Sequence, residues 1–156
     1  MKRSKPEPDA DPPAHARRVA IELLAARDHS RFELSRKLIA KGHDPGAVES
    51  ALADLVRDGW LDERRFVESY VRVRAGRGFG PVRIAHELRE RGIDPALIAV
   101  EIDEGGHDWR EHLRAVRCKR FGAAPPKDFK ERARQARFLE YRGFAPEQIR
   151  SVLNED

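Results

Sequence analysis

The sequence predicts an all-α protein with three tandem three-helix repeats. A Leu, a Gly four residues later and a Pro three residues after that recur around Gly42, Gly92 and Gly143. The first two glycines are 50 residues apart and the last two are 51 apart. Such a period is typical of stacked helical units. No segment alternates apolar and polar residues for long, so we expect no strands.

The recurring motif combines a helix end with a helix start. Gly adopts the left-handed conformation that closes many helices, and a basic residue before it suits a helix C-terminus. Those basic residues are Lys41, Arg91 and Arg142. Asp44 and Asp94 are N-caps, and the Pro after each fits the first helical position. Ala145 replaces Asp in the third copy, which weakens that cap by about 1 kcal/mol.

The motif divides the chain into four segments. Residues 1–13 are Pro-rich and charged, so we expect a disordered tail. The three repeats then occupy residues 14–59, 60–106 and 107–156.

In the first repeat, helical spacing of apolar residues begins at His15. Ser30 and Glu33 have the spacing of a capping box, which opens a second helix ending at Gly42. A third helix starts after Asp44 and stops at Gly59.

The second and third repeats show the same sequence of signals. Asp62 caps one helix, Gly80-Pro81 starts the next, and Asp94-Pro95 starts the last of the second repeat. The third repeat begins near Asp108 and is interrupted from Gly122 to Pro126.

The composition argues against an enzyme, a membrane protein and a secreted protein. With 156 residues and 40% hydrophobic content, the chain has little to spare for a deep pocket. Cys118 has no partner, and we interpret it as buried or incidental. No apolar run approaches a membrane helix, and the N-terminus lacks the apolar core of a signal peptide. We therefore expect a cytoplasmic protein without membrane contact.

Charge alternates along the chain although its net value is only +4. Lys and Arg minus Asp and Glu give +3 for 27–41, −5 for 42–63, +5 for 64–91, −5 for 94–108 and +7 for 110–142. In a stacked array of helices, this pattern would place basic residues along one stripe of the surface and acidic residues along another. The alternative is that these charges are only solvated helix faces.

No motif points to catalysis, a metal or a cofactor. The Gly-rich stretch from Gly76 to Pro81 matches no nucleotide-binding pattern and is interpreted as a flexible connector. The histidines lack the spacing of a zinc site, and no Cys pair accompanies them. Phe79, between Arg77 and Arg83, is a candidate for base stacking.

Several blocks together resemble the RecX family, bacterial regulators of the RecA recombinase. They are Arg27-x2-Ser30-Arg31-x-Glu33-Leu34, Lys41-Gly42, Leu61-Asp62-Glu63-x-Arg65-Phe66 and Gly78-x-Gly80-Pro81-x-Arg83-Ile84-x2-Glu87-Leu88. The resemblance runs from about Ala14 to Leu153. It is strongest in the first two repeats, because Gln135 replaces the apolar residue found as Leu34 and Ile84.

This resemblance implies a modulator of recombination and DNA repair without enzymatic activity or cofactor. Family members are elongated, curved arrays that lie in the groove of the RecA filament on single-stranded DNA. They mainly inhibit RecA ATPase, strand exchange and co-protease activity, in the context of the SOS response. We accordingly expect a monomer whose partners are the RecA filament and single-stranded DNA.

The resemblance also gives candidate contacts to DNA or RecA. The basic family positions align with Arg31, Lys41, Arg65, Arg72 and Arg83, and Arg77 of the Gly-rich loop is added to them. We expect Arg72, Arg77 and Arg83 to be exposed, so that their reversal leaves the fold intact. Two alternatives stay open. The chain is a stand-alone helical DNA-binding module, or a protein-interaction scaffold without nucleic-acid contact.

Overall fold

The computed structural model describes residues 11–155, and these residues contain helices and no strands. All-α architecture is thus confirmed for this part of the chain. The helices are α1 (Pro12–Ala26), α2 (Arg31–Ala40), α3 (Pro45–Arg57), α4 (Glu63–Gly76), α5 (Pro81–Glu90), α6 (Pro95–Glu104), α7 (Trp109–Phe121), α8 (Phe129–Tyr141) and α9 (Pro146–Leu153).

The first helix starts earlier than the spacing from His15 predicts. Asp11 caps α1 by accepting a hydrogen bond from the Ala14 amide at 3.3 Å. Pro12 and Pro13 then occupy the first two helical positions, where no amide donor is needed. Residues 12 and 13 of the predicted tail are therefore helical, while residues 1–10 of it lie outside the described residues.

The predicted helix ends and starts are confirmed around the three repeated glycines. Gly42, Gly92 and Gly143 have φ of 95°, 74° and 96°. Asp44 and Asp94 accept hydrogen bonds from the amides of Ala47 and Ala96 at 3.0 and 2.9 Å.

The third copy compensates in part for its missing Asp cap. Ala145 has no side-chain acceptor, but the Gln148 side-chain oxygen accepts a hydrogen bond from the Ala145 amide at 3.1 Å. This is one half of a capping box, so the entrance of α9 is weakened rather than left bare.

The predicted capping box of α2 is formed only in its first half. Ser30 Oγ accepts from the Glu33 amide at 3.1 Å and donates to the Arg91 carbonyl at 2.8 Å. The Glu33 carboxylate instead forms ion pairs with Arg27 and Arg91, at 3.1 and 3.2 Å. Two arginines outcompete the backbone amide for it because charge-assisted hydrogen bonds are the stronger ones.

The contacts between residues divide the chain into two units. The first unit runs to Phe66 and includes Arg91–Ile93, and the second unit contains Val67–Glu90 and the residues from Asp94 onward. In the first unit, an apolar core joins α1, α2 and α3; it consists of Ala20, Leu34, Leu38, Val48, Leu52, Leu55 and Leu61.

The second unit has its own core among α7, α8 and α9. Leu113, Leu139, Phe144 and Leu153 are each at most 4% exposed there. Gln135 is 3% exposed, and its side-chain oxygen accepts from Arg117 Nε at 2.9 Å. A buried polar residue thus stands at a position that is apolar in the first two repeats, and its hydrogen bond offsets the cost of burial.

Two of the repeated glycine turns pack against the preceding repeat. In the first unit, a Cβ on Gly92 would lie 2.5 Å from Phe32 Cβ. In the second unit, a Cβ on Gly143 would lie 2.2 Å from Arg83 Cβ. Gly42 has no repeat before it, and nothing lies within 4 Å of its would-be Cβ. Glycine is therefore required at positions 92 and 143 for two reasons: the positive φ of the backbone and the close approach of the preceding repeat.

The Gly-rich stretch before α5 is hydrogen-bonded to the third glycine turn. Gly80 N donates to the Arg142 carbonyl at 2.8 Å, and Val82 N donates to the Gly143 carbonyl at 2.9 Å. A Cβ on Gly80 would lie 2.4 Å from the Gly143 oxygen. The stretch therefore connects α4 to α5, as expected, and these bonds attach it to the third glycine turn.

The exposure of Cys118 and the length of the helices bear on two further expectations. Cys118 is exposed, so it is not a buried thiol. Among residues 11–155, no helix is long and apolar enough to cross a membrane.

Candidate nucleic-acid interface

Three of the predicted contact residues belong to the first unit and differ in their surroundings. Arg31 forms an ion pair with Glu49. Lys41 caps the C-terminus of α2, is exposed and pairs with no described carboxylate. Arg65 is exposed on α4, and its Nη2 lies 3.4 Å from the Trp60 carbonyl.

The other three predicted contact residues belong to the second unit. Arg72 and Arg77 are exposed, as expected, and neither pairs with a described carboxylate. Arg83 is half-buried, with Nε 3.4 Å from Glu87, and the expectation that it is a plain exposed charge is wrong. Reversing Arg83 would place two carboxylates side by side, so that change would disturb the fold as well as the surface charge.

A basic groove in the second unit contains only one of the six predicted residues. It has a volume of about 530 Å³ and lies between the end of α4, α7 and α8. Four cationic side chains line it: Arg77, Lys119, Arg120 and Arg142. Its apolar wall consists of Ala75, Ala115, Val116 and Phe138.

The charge of this groove is not balanced by its own lining. No Asp or Glu lines it, and its four cations form no ion pair with any carboxylate of residues 11–155. A cleft walled by one sign of charge concentrates ligands of the opposite sign. We refer to this site as the basic groove.

Arg142 has contacts through both its backbone and its side chain. Its own carbonyl accepts the Gly80 amide, and its guanidinium carbon lies 5.3 Å from the centre of the Phe138 ring and 5.2 Å from that of Phe79. Because both its backbone and its side chain are restrained, Arg142 would lose little conformational entropy on binding a ligand.

Next to the groove, a polar cluster connects α4 to α5. Glu87 accepts from Arg74 Nη2 at 2.6 Å, from Arg74 Nε at 2.9 Å and from Tyr70 Oη at 2.7 Å. Burial alone would raise the pKa of Glu87, but the hydrogen bonds from Arg74, Tyr70 and Arg83 outweigh it and hold that pKa below its usual value. Glu87 is therefore ionised at neutral pH and fixes two arginines beside the groove.

The ring of Phe79 is already in contact with two arginine side chains. The guanidinium carbons of Arg74 and Arg83 lie 3.9 and 4.4 Å from its ring centre. A nucleobase would have to displace these cation–π contacts to stack on the ring. The structure thus favours an anchoring role for Phe79 over the predicted base stacking.

Sequence reasoning missed Lys119, Arg120 and Arg142 as site residues. Their charge contributes to the +7 of residues 110–142, and Arg142 also precedes the third repeated glycine, but no local pattern marks any of the three as a binding residue. They converge only because α7 and α8 pack in the second unit, with Arg77 contributed from the end of α4.

The helices and the groove together define a class of protein. It is a helical-repeat protein whose second unit carries a groove lined by four cationic side chains. Comparison with known families identifies the family. Models of the first, second and third three-helix domains of RecX match residues 16–55, 62–100 and 108–153. The chain belongs to the RecX family of regulatory proteins.

Curated relatives support the same assignment. A protein of *Halorhodospira halophila* named regulatory protein RecX is 50% identical over 87% of this chain and 84% of its own length. One of *Pseudomonas savastanoi* pv. phaseolicola with the same name is 46% identical over 92% of this chain and 93% of its own.

Solved structures support the fold. A crystal structure of RecX from *Lactobacillus salivarius* covers 92% of this chain and 96% of its own, with a TM-score of 0.78 and 20% identity. A second structure, of a regulatory protein RecX, has the same TM-score at 21% identity, covering 94% of this chain and 73% of its own.

Proposed function

We propose that this chain binds the RecA filament on single-stranded DNA and inhibits RecA ATPase, strand exchange and co-protease activity. The basic groove supports this proposal most directly, because it gathers four cations without a carboxylate in a chain of a regulatory family. Phosphate contacts of this kind supply much of the affinity of nucleic-acid-binding proteins.

The basic and acidic surfaces of this chain suit the DNA and the protein of such a filament, respectively. The basic groove accounts for binding to the DNA phosphates, while the acidic segments 42–63 and 94–108 fit basic patches of a protein partner. Arg31, Lys41, Arg65 and Arg72 are proposed as further contacts outside the groove, and Arg83 beside it.

In this proposal the protein acts only by binding. It works as a cytoplasmic monomer and needs no cofactor. Its effect on ATP hydrolysis comes from a change in the filament and not from chemistry of its own.

The test is DNA-dependent ATP hydrolysis by the cognate RecA, measured with increasing amounts of this protein. Inhibition below one molecule per RecA is expected, because a regulator seated in the filament acts on several subunits. Unchanged hydrolysis at an equimolar ratio would refute the proposal.

The two alternatives give other outcomes in related assays. A stand-alone DNA-binding module would bind an oligonucleotide tightly and leave RecA unaffected. A scaffold without nucleic-acid contact would bind RecA with no affinity for DNA and no response to charge reversal in the groove.

A further inference from the structure

Guanidinium groups and aromatic rings alternate in contact across the second unit. We call this set the arginine–aromatic ladder, and in order of contact it consists of Arg83, Phe79, Arg142, Phe138, Arg120 and Phe121. The guanidinium carbons lie 4.4, 5.2, 5.3, 5.6 and 5.9 Å from the successive ring centres. All are within the range of a cation–π contact.

The rings restrain Arg120 and Arg142 and leave most of their hydrogen-bonding capacity available. Arg142 Nη1 donates one hydrogen bond, at 3.5 Å, to the Arg77 carbonyl. A guanidinium group carries five N–H donors in its plane, and a ring against its face leaves those at its edge available. Arg120 and Arg142 form no ion pair with a described carboxylate. Their positive charge is therefore both held in place and uncompensated.

Two restrained guanidinium groups that contact the same ring, Phe138, match a ligand with repeated anions. Phosphate oxygens accept bidentate hydrogen bonds from Arg, which a Lys ammonium group cannot donate. An acidic protein surface offers carboxylates without a regular chain order, so a nucleic-acid strand fits better.

We propose that Arg142 and Arg120 of the ladder bind neighbouring phosphates of a single DNA strand, with Phe79 and Phe138 as positioning residues. This inference rests on the proposed function, since it assigns the DNA contact of the filament to particular guanidinium groups. It requires guanidinium chemistry at Arg120 and Arg142 and not charge alone.

The first test retains the charge and removes the guanidinium group. Arg120→Lys and Arg142→Lys are each expected to weaken binding of a fluorescein-labelled oligothymidylate by about threefold to tenfold, measured by fluorescence anisotropy without RecA. Arg89→Lys is the matched control, because Arg89 is exposed on α5, contacts no described ring and is not among the proposed contacts. This control variant should bind as the parent does.

The second test retains every charge and removes a ring. Phe138→Leu should weaken oligonucleotide binding by a similar factor, and the slope of log affinity against log salt should stay that of the parent, because no cation is lost. Phe138→Tyr should restore the affinity. A merely structural role for Phe138 would instead lower thermal stability and change affinity only in proportion to unfolded protein.

Three results would overturn the inference. Parent-like binding by both Lys variants would mean that charge alone acts. If the Lys variants lose affinity but Phe138→Leu binds as the parent does, Phe138 is not a positioning residue. If Arg120→Glu abolishes RecA inhibition and leaves oligonucleotide binding intact, the ladder contacts the recombinase and not DNA.

Failure of the ladder and failure of the proposed function can be told apart. Oligonucleotide binding is measured without RecA, whereas the function is read from RecA ATP hydrolysis. A parent protein that inhibits RecA while its Lys variants bind DNA normally would refute the ladder alone.

Discussion

At the scale of single residues, Gly42 and Gly143 have the same conformation in different surroundings. Their φ angles are 95° and 96°, yet only Gly143 has a neighbour that a side chain would strike. A comparison of the two positions therefore separates backbone strain from the packing of one repeat on the next.

We expect Gly42→Ala to lower the free energy of unfolding by about 1–2 kcal/mol, the cost of a left-handed Ala. Gly143→Ala should cost about 1–3 kcal/mol more, because its Cβ would overlap Arg83. Urea unfolding of both variants tests this. Equal costs would show that the close contact at Gly143 contributes nothing.

His29 is a second residue whose effect is measurable by itself. It is 2% exposed, its Nδ1 lies 2.9 Å from the Arg27 carbonyl, and its Nε2 lies 2.9 Å from Lys37 Nζ. The neutral ring fits this environment by donating from Nδ1 and accepting at Nε2. Burial, with the nearby charges of Arg27 and Lys37, lowers the pKa of His29 below 6.5, although the hydrogen bond to the Arg27 carbonyl opposes this.

The sign of the pH dependence follows from this lowered pKa. Below pH 6.5 the unfolded chain binds a proton at His29 more readily than the folded one does. This contribution to stability is therefore complete above pH 6.5 and is lost as pH falls through the folded pKa. His43, whose pKa is lowered by burial and by His15 and Lys41, acts in the same direction.

We expect the free energy of unfolding to be smaller at pH 5.5 than at pH 7.5, and His29→Gln to reduce that difference. Urea unfolding at the two pH values is the measurement. A variant with the full pH dependence of the parent would show that His29 is not responsible.

At the scale of helices, the local signals proved sufficient for most boundaries. Asp44, Asp94 and the repeated glycines act within one turn of their own positions, so their effects can be read from neighbouring residues. The contact of Gly80 with Gly143 joins residues far apart in the chain, and no local pattern indicates it. The same holds for the basic groove, whose cations come from α7 and from the residues that follow α4 and α8.

Glu87 shows how an interhelical contact connects stability to binding. It holds Arg74 of α4 and Arg83 of α5, and its side chain is 16% exposed. Its carboxylate thus stabilises the pair of helices and at the same time compensates positive charge beside the groove.

Glu87→Gln should therefore change stability and DNA affinity in opposite directions. Loss of the charge-assisted hydrogen bonds should lower the free energy of unfolding by about 1–3 kcal/mol. Affinity for single-stranded DNA should rise about threefold, because Arg74 and Arg83 are no longer neutralised. Urea unfolding and anisotropy on the same preparation test both effects, and a fall in both quantities would contradict this explanation.

At the scale of the whole molecule, the sequence was informative about the family and less so about the site. Three copies of one motif predicted the helical repeats, and the conspicuous blocks around Ser30 and Gly80 lie at caps and turns. Those blocks specify folding, which is why they indicate Arg31 and Arg83, two residues that the structure shows in ion pairs. Lys119 and Arg120 line the groove outside any such block. Arg142 lies in the glycine motif, where a basic residue is expected for the helix C-terminus alone.

We propose that this chain regulates RecA through its basic groove. This proposal is tested most directly by RecA ATP hydrolysis on single-stranded DNA, with the double variant Arg77→Glu/Lys119→Glu compared with Arg36→Glu/Arg89→Glu. Each pair reverses two exposed charges, but only the first pair lines the groove. We predict that the groove variant loses most of the inhibition while the control inhibits as the parent does. Equal inhibition by the two variants would contradict the account.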